Sequence, residues 1–144
     1  MVKSDDESYV LMVSFDGFRY DYTSLASTPH FDRLAEGGVK ADGLIPIFPS
    51  TTFPNHYSIA TGTYSGMHNI TGNSFYDKKY GEKYSMYDQT KVRDAKFYKA
   101  EPIWVTAERQ GVRSASYFWV GTEAPVGGYY PSIFKYYDGL VPFK

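Results

Sequence analysis

The sequence predicts an α/β fold built on a mostly parallel sheet. Two patterns carry that expectation. An unbroken apolar run, YVLMVSFDGF, opens the chain and ends in Asp-Gly, as a strand buried on both faces does. Amphipathic helical stretches then alternate with apolar segments, which is the order that parallel sheets require.

Taken in order, the run from Tyr9 to Phe18 reads as the first buried strand. Ser27-Thr28-Pro29 supplies a cap followed by proline, and Phe31, Leu34 and Ala35 share one face of the helix that follows. Gly37-Gly38 ends it. VKADGLIPIFP reads as a second strand. TTFPNHYSIATG reads as a helix opened at Thr51 or Thr52 and closed by Gly62. Residues 69–99 lack a helical period and read as a long excursion with a hairpin near Tyr80-Gly81-Glu82, of the length that usually serves function. EPIWVTAERQG then reads as a helix with Ile103, Trp104 and Ala107 on one face, and VRSASYFWVG as a strand. The Gly/Pro/Tyr-rich remainder reads as loop with at most a short helix. There is no repeat and no linker, so one domain is expected.

Composition narrows the function. Fifteen basic residues face sixteen acidic ones, a balance that argues against bulk electrostatic binding to nucleic acid or an anionic membrane. An anionic substrate would need a local site. Aromatic residues make up 19% of the chain, with fifteen tyrosines, which suits core packing or a groove for a planar ligand. With no cysteine there is neither a disulfide nor a thiolate metal site. No apolar run reaches membrane-spanning length. The polar, acidic start lacks the basic and apolar regions of an export signal.

Three groups of residues could carry chemistry. Asp16, at the end of the first expected strand, lies where α/β sheets place ligands, and its carboxylate suits a hard divalent cation; it could equally be a turn residue. Thr52 stands at a strand-to-helix junction, where the helix dipole would stabilise an alkoxide; on spacing alone the plain N-cap is the favoured reading of Thr51 or Thr52. His30, His56 and His68 have no metal-ligand spacing and read as structural. GTYSG and VGGYY match neither a P-loop nor a dinucleotide fingerprint. Asn69-Ile70-Thr71 is formally a glycosylation sequon.

The segments V-S-F-D-G-F-R, F-P-S-T-T-F-P-N-H-Y-S-I-A-T-G, H-N-I-T-G-N-S-F-Y-D, E-P-I-W-V-T-A-E-R-Q-G, F-W-V-G and P-S-I-F-K-Y-Y-D-G-L-V-P-F follow one another in a particular order and spacing. In this the chain resembles the nucleotide pyrophosphatase/phosphodiesterases of the alkaline phosphatase superfamily, from about Tyr9 onward. T-F-P-N-H-Y and E-P-I-W-V-T-A are the most specific pieces.

The resemblance implies a three-layer α/β/α alkaline-phosphatase-like fold, incomplete in this chain, with residues 1–144 forming the N-terminal portion of a single catalytic domain. It implies a hydrolase that cleaves nucleotide phosphodiesters and pyrophosphates through a threonine nucleophile, releasing nucleoside 5′-monophosphate. A lipid-headgroup (choline-type) phosphodiesterase and a noncatalytic fragment are the alternatives. By the same resemblance the first metal-binding aspartate falls on Asp16, and the nucleophile, also a metal contact, falls on Thr52. The phosphate-binding asparagine falls on Asn73. Phe53 and Tyr137, with Tyr136 one residue away, flank the nucleobase, and Trp119 belongs to the substrate pocket. Two zinc ions are implied, whose remaining aspartate and histidine ligands this chain does not carry. Thr51 replaces the lysine usual before the nucleophile. We expect convergence of Asp16 and Thr52 at one edge of the sheet, an extracytoplasmic location with the export signal outside these residues, a bacterial source from the lack of cysteine, and either self-association or a second chain supplying the rest.

Overall fold

The computed structural model describes residues 8–137. The acidic start at 1–7 and the end of the Gly/Pro/Tyr-rich segment, 138–144, lie outside the described residues. The chain divides into two compact units, one up to Leu44 and one from Ile45 onward.

The first unit holds α1 (Tyr22–Leu25) and α2 (Pro29–Gly37). Proline at the start of α2 costs nothing, because the N–H it lacks would have had no partner in the helix. Aromatic rings hold the unit: Phe18 and Phe31 stack at 5.5 Å, and Phe15 tilts against both.

The expected strand from Tyr9 to Phe18 does not form among the described residues. Val10 and Leu11 are 87% and 88% exposed. A parallel strand is held only by a ladder to its neighbours, and no other strand is present among the described residues of this unit. The second expected strand, Val39 to Pro49, is also irregular and exposed. Pro46 and Pro49 remove ladder donors there.

The second unit carries the core. α3 (Thr52–Thr61) begins after Thr51, and Pro54 falls in its first turn, where proline is tolerated. Gly62 ends α3 in the left-handed conformation, φ 65°, its N–H donating to the Ser58 carbonyl at 2.8 Å. A single turn, α4 (Ser65–His68), follows. The expected hairpin is β1 (Ser74–Asp77) paired antiparallel with β2 (Glu82–Ser85). Its turn is built by Asp77, whose Oδ1 accepts from Lys79 N–H and Tyr80 N–H, and by Gly81 at φ 66°. Next come α5 (Gln89–Val92), a 3₁₀ turn at Ala95–Phe97, and α6 (Ile103–Arg109). In α6 the buried face is Trp104 and Val105; Ile103, expected inside, is 50% exposed.

β3 (Ala115–Tyr117) is shorter than its sequence suggests, because Phe118 takes φ 59° and cannot continue the strand. It pairs in parallel with β4 (Ile133–Lys135), an element the loop-like composition of this region conceals. The Glu108 carboxylate at the end of α6 ties this pair down. It accepts from the backbone and hydroxyl of both Ser114 and Ser132, which pulls its pKa down to about 2.

The core packs Tyr57 of α3, Ile70, Tyr84 of β2, Phe97, Tyr98 and Val105 of α6. Its aromatic rings meet mostly edge-on, as with Tyr57 and Tyr98 at 5.1 Å and Tyr84 and Phe97 at 5.3 Å. Tyr84 and Tyr98 share a buried hydroxyl hydrogen bond of 2.8 Å, and Tyr98 donates on to the Val92 carbonyl. With Tyr57 donating to the Ala100 carbonyl at 2.7 Å, each of these three tyrosine hydroxyls has a partner, whereas the buried indole N–H of Trp104 has none among the described residues. α3 packs on this core through Tyr57 and Ala60.

Candidate active site

The start of α3 is where three of the expected site residues come together. Thr52 is its first residue, half-buried, and Phe53 its second. The N–H groups of a helix's first turn have no helical partner. Thr51 occupies the capping position, but its side chain makes no cap bond. Asn73 does that work instead: its Oδ1 accepts the Phe53 N–H at 2.9 Å across twenty residues of sequence. Asn73 is placed by the hairpin, since its own carbonyl accepts from Met86 N–H and extends the β1–β2 ladder. The excursion of residues 69–99 thus delivers an amide side chain to the helix that begins with Thr52.

The aromatic residues take different places around this point. The Phe53 ring is half-buried, edge-on to Tyr84 at 6.4 Å, so the core fixes one side of it. Trp119 donates its indole N–H to the His56 carbonyl of α3 at 3.0 Å and stands edge-on to the His56 ring. Tyr137 is 57% exposed and meets Phe118 edge-on at 5.7 Å. Tyr136 is more committed: the Arg93 guanidinium lies 4.9 Å over its ring, which also packs on Phe134.

The histidines are structural in part. His68 is buried; its Nδ1 accepts from Ile70 N–H, so its proton sits on Nε2, 2.8 Å from Ser58 Oγ. Burial lowers its pKa to about 4. His56 turns Nδ1 to the Thr52 carbonyl at 2.9 Å. The sequon residue Asn69 spends its amide on Asp77, the Phe97 carbonyl and Lys99.

Asp16 corrects the expectation of a strand-end carboxylate. It stands in an exposed turn with Gly17, in the first unit, while Thr52 belongs to the second. One carboxylate and one hydroxyl are oxygen donors that a hard cation accepts, but two catalytic zinc ions need about six protein contacts. Among the described residues no group of three His, Asp or Glu side chains could hold an ion. The donors among the described residues therefore do not by themselves fit a two-zinc centre.

Sequence reasoning passed over Asn55. Its side chain bonds to Ile47, Pro49 and Thr51 and so ties the segment before Thr52 to α3. The available signal was an asparagine inside a helix, where that residue is disfavoured unless its amide serves nearby backbone.

Residues 10–144 match the family described as type I phosphodiesterase / nucleotide pyrophosphatase. The chain belongs to that family. It is 41% identical over 136 residues to human ectonucleotide pyrophosphatase/phosphodiesterase family member 1, covering 93% of this chain and 15% of the relative. It is 45% identical over 135 residues to an uncharacterised pyrophosphatase/phosphodiesterase of Schizosaccharomyces pombe, covering 93% and 27%. Venom phosphodiesterase of Naja atra is 38% identical over 141 residues, covering 96% and 17%. Among solved structures, murine ectonucleotide pyrophosphatase/phosphodiesterase 5 superposes with a TM-score of 0.83 at 33% identity, covering 90% of this chain and 35% of that one. An inactive threonine-to-alanine variant of the same murine protein, in complex with AMP, gives the same TM-score at 32% identity, covering 90% and 34%. The fold is thus that of the nucleotide pyrophosphatase/phosphodiesterases, and the chain spans about a third of the solved chains and less of the curated relatives. These relatives are animal and yeast proteins, which gives no support to the bacterial source expected from the lack of cysteine.

Proposed function

We propose that this chain carries the nucleophile of a nucleotide phosphodiesterase, with Thr52 attacking the phosphorus of a nucleotide ester. The observation that carries this reading is the bond from Phe53 N–H to Asn73 Oδ1, because it gathers Thr52, Phe53 and Asn73 at one helix start. The threonine-to-alanine murine relative, inactive and in complex with AMP, supports both a threonine's importance and a nucleotide ligand.

Each residue then has a stated task. Thr52 Oγ1 forms a bond to phosphorus as the ester oxygen of the leaving group departs with a proton. Water next cleaves the nucleotidyl-threonine, releasing nucleoside 5′-monophosphate and restoring the hydroxyl. The positive end of α3 favours negative charge on the attacking oxygen. With Oδ1 of Asn73 committed to Phe53, the end of that amide left for a phosphate oxygen is the donating Nδ2. Phe53 and Tyr137 flank the base, and Trp119 walls the pocket from α3. The exposed Tyr137 suits that task better than Tyr136, whose ring already carries Arg93. Asp16 would be a cation ligand. Divalent ions, zinc by the resemblance, would need further ligands beyond Asp16 and Thr52. The ecto- and venom relatives support an extracytoplasmic location. No helix among the described residues is long and apolar enough to cross a membrane.

Thr52→Ala in the full-length protein tests the assignment. Turnover of p-nitrophenyl thymidine 5′-monophosphate should fall by several orders of magnitude, with the melting temperature kept. Activity within about tenfold of the parent would move the role to another group.

A further inference from the structure

Asn55 lies three residues beyond Thr52 in α3, and its side chain is turned wholly to backbone. Oδ1 accepts the Ile47 N–H at 2.8 Å. Nδ2 donates to the Pro49 carbonyl at 3.1 Å and to the Thr51 carbonyl at 2.9 Å. The partners fix the orientation of the amide, since an N–H only donates and a carbonyl only accepts. The acceptor and both donor hydrogens are thereby used. All three bonds fall on residues 47–51, the segment that leads into Thr52. That segment has few bonds of its own: Pro49 donates nothing, and Thr51 N–H to the Pro49 carbonyl is its internal link.

We infer that Asn55 is a positioning residue for the nucleophile, holding residues 47–51 so that the Thr52 hydroxyl is presented in one orientation. This rests on the reading of Thr52 as nucleophile. The three bonds go to the leading segment and to none of the aromatic residues assigned to the base. Asn55 therefore acts on the chemical step and leaves nucleotide binding to Phe53, Trp119 and Tyr137.

The test uses Asn55→Asp and Asn55→Ala in the full-length protein. Aspartate keeps the size and the acceptor for Ile47 but sets an oxygen against two carbonyls; alanine removes all three bonds. Three quantities are measured: steady-state hydrolysis of p-nitrophenyl thymidine 5′-monophosphate, equilibrium binding of AMP, and the melting temperature. The expected result is a fall in kcat of roughly tenfold to hundredfold, the scale on which a small misplacement of a reacting group acts. KM and AMP affinity should stay within about threefold, because binding contacts are untouched. A parental kcat in both variants overturns the inference. So does a joint loss of kcat, AMP binding and melting temperature, which makes Asn55 a folding residue. Failure of the nucleophile assignment shows separately, as retained turnover in Thr52→Ala.

Discussion

Asn73 reaches back twenty residues to cap the helix that Thr52 begins, and this one bond joins a structural task to a proposed chemical one. An amide has two ends with opposite polarity. The end that takes Phe53 N–H builds the site, and the other end is what an anionic substrate would meet. Phe53 divides its ring in a comparable way, with the core at one side through Tyr84. That predicts a selective effect for Phe53→Ala. Stacking on a base contributes about 1–3 kcal/mol, or roughly tenfold to hundredfold in kcat/KM. Thymidine 5′-monophosphate esters should lose that much, whereas p-nitrophenyl phenylphosphonate, which has no base, should lose far less. Equal losses in the two assays would show that Phe53 supports α3 rather than the substrate.

Elements with local signals were legible in the sequence. α3 follows from Thr51-Thr52, a proline in its first turn and Gly62 in the left-handed region at its end. The β1–β2 hairpin follows from the Tyr80-Gly81-Glu82 turn, which Gly81 at φ 66° and the Asp77 bonds to Lys79 and Tyr80 build from nearby residues. Elements that depend on remote partners were not legible. Residues 9–18 have the composition of a buried strand but no ladder among the described residues, and β4 exists only because β3 lies beside it. The candidate site residues were named as residue types through family resemblance, while the Asn73 cap and the Asn55 ties are long-range or loop contacts that no spacing encodes. At this scale His68 makes a pH prediction. Its pKa is lowered to about 4 by burial, against about 6.5 when unfolded. The unfolded chain therefore takes up the proton first on acidification. The stability that rests on neutral His68 is complete above about pH 6.5 and is lost as pH falls toward 4. Melting temperatures across that range should fall more steeply for the parent than for His68→Gln. Parallel curves would show that His68 is not the titrating group.

At the scale of the molecule, the second unit owns the core and the first is held by a few rings around Phe18 and Phe31. The proposed cation ligand Asp16 belongs to one unit and the proposed nucleophile to the other. Asp16 and Thr52 offer one carboxylate and one hydroxyl, well short of the roughly six contacts of a two-zinc centre. The 144-residue polypeptide by itself should accordingly bind fewer than two zinc ions tightly in a metal titration. Two tightly held ions per chain, with turnover, would show that other residues of this chain complete the site. The central claim is that Thr52 forms the covalent bond to phosphorus. It is tested most directly by quenching the full-length protein during turnover of a nucleotide ester and mapping the modified peptide by mass. A nucleotidyl adduct on Thr52, absent from Thr52→Ala, is the predicted result; an adduct on any other residue would contradict it.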